Sequence, residues 1–145
     1  MLESLNFGRD WACTQSLAAF YRHLDESRFS QAAQAFATDG TWQRQGKLLM
    51  GPQEILKALN ERSKSLRTRH VLSCTVVTLE ATLLRLESSL IVYSNDDGSA
   101  PSMPATISTP HAVMDSIAIF DVQLGAALIK SLSHRAVFLF EGHKS

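Results

Sequence analysis

Two side chains in this sequence are of types that could share one proton. Asp25 lies at the end of a helix-like segment, in YRHLDES, and His70 stands near the head of an alternating run, in RTRHVLS. A carboxylate bonded to one ring nitrogen would fix the imidazole tautomer and stabilise its protonated form, leaving the other nitrogen to take a proton from a substrate. In an apolar pocket, desolvation lowers the pKa of such a histidine and the carboxylate raises it. A base of this kind suits proton abstraction beside a carbonyl or a leaving group. Each residue also has a plainer reading. His70 could be a half-exposed strand-edge histidine, and Asp25 a solvated neighbour of Glu26 and Arg28. A carboxylate is poorly placed beside the negative end of a helix dipole, so a function would account for Asp25.

Other side chains could surround the pair. Tyr21 lies one turn before Asp25 and could line a pocket or sit in the core with its hydroxyl bonded. Trp42 could floor a cavity or simply pack. Strand parity puts Leu72, Cys74 and Val76 on the side of His70, and puts His134 with Leu132, Ala136 and Phe138 towards an interior. Arg67 and Arg69 flank the strand entrance as a solvated pair or as a mouth for an anionic substrate. His23 falls off the apolar stripe, and His111 follows a proline in a loop. No set of His, Cys and carboxylates has metal-site spacing, and there is no glycine-rich phosphate loop or serine nucleophile elbow. The reading is therefore metal-free and cofactor-free. Cys13 and Cys74 have no redox-pair spacing and read as two small buried thiols.

The elements that must position these residues follow from periodicity. From about Asp10, a possible cap, to Glu26 the pattern is helical, with Leu17, Phe20, Tyr21 and Leu24 on one stripe. A shorter helix runs from about Phe29 to Ala37, and GTWQRQGKLLMG reads as a small hairpin with Gly46 at its bend. Gly51-Pro52 starts a third helix, with Ile55, Leu56 and Leu59 on its apolar face, up to about Ser65. The period then changes to two: strands are expected over about 69–79, 82–93, 112–122 and 126–140, with a long loop from Ser94 to Pro110. Helices first and long strands afterwards predict an α+β fold. Three helices would pack into a strongly curved antiparallel sheet, a cone-shaped α+β barrel enclosing a mostly apolar pocket.

The totals fit one domain over residues 1–145. Fourteen basic residues balance fourteen acidic ones, so nothing recommends nucleic acid as a partner. The N-terminus is too polar for a secretory signal, and no apolar run approaches the roughly 18 residues of a membrane span, which places the expected protein in the cytoplasm and off the membrane.

The segments YRHLDESRFSQAAQAFATDGTW, GPQEILKAL and RTRHVLS together resemble the SnoaL-like group of the nuclear transport factor two-like superfamily. The resemblance follows element order along nearly the whole chain, and its sharp matches end near Ser73. It implies the cone-shaped fold. It also implies catalytic roles for Asp25 and His70, which match the positions where scytalone dehydratase and a dehydrochlorinase of the superfamily use an Asp and a His. Leu24 and Arg44 stand where the dehydratase has tyrosines, and Ile91-Val92-Tyr93 stands where it has a second histidine, so scytalone itself is not the expected substrate. The expected function is a lyase or isomerase acting on a small apolar organic molecule by dehydration, elimination, isomerisation or cyclisation. Tyr21, Trp42, Leu72 and His134 would be its substrate-binding residues, and a homodimer or homotrimer its assembly. The alternatives are a non-catalytic scaffold like the small subunits of aromatic-ring dioxygenases, or a small-ligand-binding protein.

Overall fold

Leu17, Phe20, Tyr21 and Leu24 wind the chain into α1 (Leu2–Asp25), and all four are buried in the computed structural model, which describes residues 2–100 and 102–141. The helix begins well before Asp10. That residue is therefore not a cap; its carbonyl accepts from the Thr14 hydroxyl at 2.9 Å. After α2 (Phe29–Ala33) the chain leaves the helix earlier than its alanine content predicts, because Phe36 and Ala37 already belong to β1 (Phe36–Arg44). Tertiary contacts override propensity here. The Ile129 amide donates to the Ala35 carbonyl at 2.9 Å, and Phe36 packs edge-on against Phe20 at 5.4 Å.

The expected hairpin forms between β1 and β2 (Lys47–Met50), closed by Arg44 opposite Lys47. Gln45 and Gly46 both take left-handed backbone angles, the combination that lets a two-residue turn match strand twist. Then α3 (Gly51–Asn60) buries Ile55 and Leu59 and stops short of Ser65. Four long strands complete the chain: β3 (Arg67–Glu80), β4 (Leu83–Asn95), β5 (Ala112–Gln123) and β6 (Ala126–Leu139). They pair as antiparallel neighbours, as their alternation predicts.

The strand order is β2-β1-β6-β5-β4-β3. The hairpin joins the free edge of the meander with β1 parallel to β6, so the sheet is mixed rather than wholly antiparallel, curved and not closed. The helices α1 and α3 lie against the sheet and α2 packs on both of them; Leu84, Leu86, Ser88, Leu90 and Val92 alternate as buried residues of β4. Among the described residues, no helix is long and apolar enough to cross a membrane.

Two bulges overturn the parity expectations. Ser73 pairs with Ser89, but Val76 pairs with Glu87, and Cys74 takes φ 52° between them. The extra residue flips the strand. Val76 therefore points outward and Val77 takes the inward position opposite Leu86. The Cys74 thiol is exposed instead of buried, whereas Cys13 is buried as expected. In β6 the register shifts between Ala136 and Phe138, leaving the Phe138 side chain 63% exposed.

One glycine is required where β1 crosses towards β6. A Cβ on Gly40 would lie 2.5 Å from the Ile129 carbonyl oxygen and 2.9 Å from that of Ala37. Both are backbone atoms and cannot swing away. Gly40→Ala is expected to cost about 2 kcal/mol, read as a lower urea midpoint at unchanged slope. An unchanged midpoint would show that this crossing can widen freely.

Candidate active site

Asp25 ends α1, and β3 brings its first residues directly over that helix end. The Asp25 carboxylate accepts three hydrogen bonds from β3. The His70 Nδ1 lies 2.6 Å from Oδ1, the Thr68 hydroxyl donates to Oδ1 at 2.8 Å, and the His70 amide donates to Oδ2 at 2.8 Å. The pair is sheltered, with side-chain exposures of 11% for His70 and 3% for Asp25. Burial alone would raise the Asp25 pKa. The hydrogen bond and charge of His70, its amide and the Thr68 hydroxyl outweigh that and hold the carboxyl below its usual value. An ionised Asp25 assigns the Nδ1 proton to His70. Its Nε2 has no hydrogen-bond partner among the described residues.

Tyr21 ties this pair to a second histidine. Its ring stacks on that of His70 with centroids 4.9 Å apart and 23° between planes. Its hydroxyl lies 2.8 Å from His134 Nε2 and 3.3 Å from Ser116 Oγ. Burial pushes the Tyr21 phenol well above its ordinary pKa, so it is neutral and able to donate. Burial, assisted by nearby His70, lowers His134 to about 4, so near neutral pH that imidazole is uncharged and accepts the phenol proton.

The sign of the resulting pH dependence is fixed. Below pH 6.5 an unfolded chain protonates His134, while the folded protein resists until about pH 4. The unfolded state therefore binds more protons in that window, and stability falls as pH falls through it. The contribution is about 3 kcal/mol, complete above pH 6.5. Asp25, with its lowered pKa, stabilises the fold above the ordinary carboxylate pKa and gives this up only as pH falls further, through its folded value, on the acid side of that window. We expect urea denaturation of His134→Gln to show a flatter stability curve between pH 6.5 and 4 than the parent. Parallel curves would mean that His134 is protonated in the fold.

The structure thus brings Asp25, His70, Tyr21 and His134 into one cluster. Leu72 lies on the inward side of β3, half-buried opposite Leu90. Trp42 takes its packing role, with its ring edge-on to Phe20 at 5.4 Å and stacked on Phe36 at 6.1 Å. Other residues lie elsewhere. Arg67 is a strap rather than a pocket mouth: its guanidinium donates to the Ala100 and Met103 carbonyls and to Ser99 Oγ, fastening the long loop to β3. His23 is half-buried instead of exposed, accepting from Arg28 Nε at 3.0 Å. His111 continues the β4–β5 ladder by donating its amide to the Val92 carbonyl at 2.7 Å. Thr68 and Ser116 were not singled out by the sequence. The signal for Thr68 was its place two residues before His70, on the same strand face.

Of two cavities in the structure, the first reaches the cluster at His134, and neither is lined by Asp25, His70 or Tyr21. The first, of about 450 Å³, is lined in part by Cys74, Val76, Ser88, Ser116 and His134. The other, of about 390 Å³, lies between the β1–β2 hairpin and the end of α3 and includes Arg44, Arg62 and Leu66. Among the described residues, no group of three or more His, Cys, Asp or Glu side chains is placed to hold a metal ion.

A family model for the SnoaL-like domain matches residues 9–117, and the chain belongs to that family. The fold recurs in solved structures. A candidate scytalone dehydratase from Novosphingobium aromaticivorans superposes with a TM-score of 0.81 at 15% identity, covering 100% of this chain and 94% of the other. A nuclear transport factor two-like protein with a cystatin-like fold from the same organism gives 0.72 at 15% identity, covering 97% and 88%. A protein of Catenulispora acidiphila, solved in complex with S-DNPA, gives 0.69 at 19% identity, covering 85% and 90%. No curated protein matches the chain.

Proposed function

We propose that this SnoaL-like chain, read as one domain over residues 1–145, is a cofactor-free enzyme of the lyase or isomerase type acting on a small, largely apolar organic molecule. One observation carries the proposal: the 2.6 Å contact between Asp25 Oδ1 and His70 Nδ1, which leaves Nε2 unpartnered in a sheltered position. His70 Nε2 takes a proton from a carbon beside a carbonyl, and Asp25 stabilises the imidazolium that results. The C–H electron pair becomes part of a new double bond. The imidazolium then returns the proton to a departing group, giving elimination, or to another carbon, giving isomerisation. Tyr21 and His134 bound the substrate on the inner side. The similarity to a candidate scytalone dehydratase and to a small-molecule complex is in keeping with this reading. Exposed Val76, Leu79 and Phe138 would suit self-association as a homodimer or homotrimer.

The test needs no knowledge of the natural substrate. Small apolar ketones with acidic α-protons, such as 2-tetralone, are incubated with the protein in deuterated water, and loss of the α-proton signal is followed by NMR. The protein is expected to accelerate exchange above the buffer rate, and His70→Ala to abolish the acceleration. Equal exchange by parent and variant would overturn the assignment of the base.

A further inference from the structure

The cavity at the end of α3 is basic in a chain of zero net charge. Arg44, Lys47 and Arg62 line it, against the single carboxylate of Glu61. Neither Arg44 nor Arg62 forms an ion pair among the described residues. Each guanidinium lies against an aromatic ring instead, Arg44 over Trp42 at 5.4 Å and Arg62 over Phe29 at 5.7 Å. Burial works against the charge on both, and Arg44 further opposes the charge on Arg62, offset in part by the carboxylate of Asp25. Two buried donors are left without partners in this region, Nε of Arg62 and Nε1 of Trp42.

Like charges held near one another with no carboxylate paired to either are costly, and a bound anion would relieve that cost. Aromatic backing fixes the guanidinium planes, which suits a planar acceptor with two oxygens. The remaining lining is Gln45 and three apolar side chains, Leu49, Ala58 and Leu66. Arg62 Nη2 also approaches Thr68 Oγ1 at 3.5 Å, and Thr68 donates to Asp25, so this cavity abuts the polar backing of the His70 pair.

We infer that the Arg44–Arg62 cavity binds the carboxylate of an organic acid whose apolar body reaches towards His70. The inference names the substrate class of the proposed active site and so rests on that reading. Binding is measured without turnover, however, so the two can fail separately.

The probes are 2-naphthoate, its neutral amide and inorganic phosphate, titrated calorimetrically into the intact chain at low salt. The acid is expected to bind at least about tenfold more tightly than the amide, and to weaken as sodium chloride is raised. Arg44→Gln and Arg62→Gln should each weaken acid binding about tenfold or more and leave amide binding unchanged. Arg44→Lys keeps the charge without the fork and serves if a glutamine variant fails to fold; it should still bind the acid more weakly than the parent. His70→Ala should retain acid binding while losing proton exchange. Equal affinity for acid and amide, unchanged acid affinity in the arginine variants, or phosphate displacing the acid would each overturn the assignment.

Discussion

In His70→Ala, protein-catalysed α-proton exchange is expected to fall by a factor of about 10² to 10⁴, the range contributed by one positioned general base. The loss should not come from unfolding. The Asp25 carboxylate keeps the Thr68 hydroxyl on Oδ1 and the residue-70 amide on Oδ2, because the amide belongs to the backbone. What disappears is one hydrogen bond to the carboxylate and the stacking of the imidazole on Tyr21. Together these are worth about 2 kcal/mol, within the margin of an ordinary domain. A variant that still melts cooperatively but no longer exchanges protons would therefore have lost chemistry rather than structure. Added imidazole should restore part of the rate if a sheltered space for the ring remains. A folded variant exchanging at the parent rate would rule out His70 as the base.

The four long strands were legible because their alternation is local, and so was the hairpin, whose Gln45-Gly46 turn carries its own backbone requirement. The Asp25–His70 pair was legible for a different reason. A carboxylate at the wrong end of a helix dipole and an imidazole heading an apolar run are both costly unless they meet. Parity counting failed in β3 and β6 because a bulge adds one residue without changing composition. In β3 the left-handed position fell on Cys74, where no glycine announced it. The parallel pairing of β1 with β6 joins segments distant in sequence and has no local signature. Thr68 and Ser116 passed unnoticed because small hydroxyls are ordinary on strands, and only the three-dimensional register shows that one reaches Asp25 and the other Tyr21. Arg62 was not singled out in the sequence, because nothing local shows that its guanidinium lies half-buried near Arg44.

Asp25→Asn is expected to lose as much exchange activity as His70→Ala while keeping the imidazole in place. The amide offers one acceptor oxygen and one donor nitrogen where the carboxylate had two acceptors. If the nitrogen faced the Oδ2 side it would meet the His70 amide, whose proton cannot be redirected. The less costly orientation puts the nitrogen on the Oδ1 side, against Thr68 and His70 Nδ1. Thr68 can rotate its hydroxyl and accept. The imidazole can adapt only by moving its proton to Nε2, so that Nδ1 accepts from the amide. The nitrogen meant to take a substrate proton is then already protonated, and no anion remains to stabilise an imidazolium. This accounts for a loss of about 10² to 10⁴ from a change of one atom. The stability cost should be smaller, about 1–3 kcal/mol for the weakened hydrogen-bond set. Nitrogen-15 NMR of the imidazole gives a readout that a purely structural role would not move: the proton should sit on Nδ1 in the parent and on Nε2 in the variant. If Nδ1 keeps its proton while exchange is lost, Asp25 acts by charge and not by tautomer selection. If exchange survives, the carboxylate has no part in the chemistry and His70 works alone.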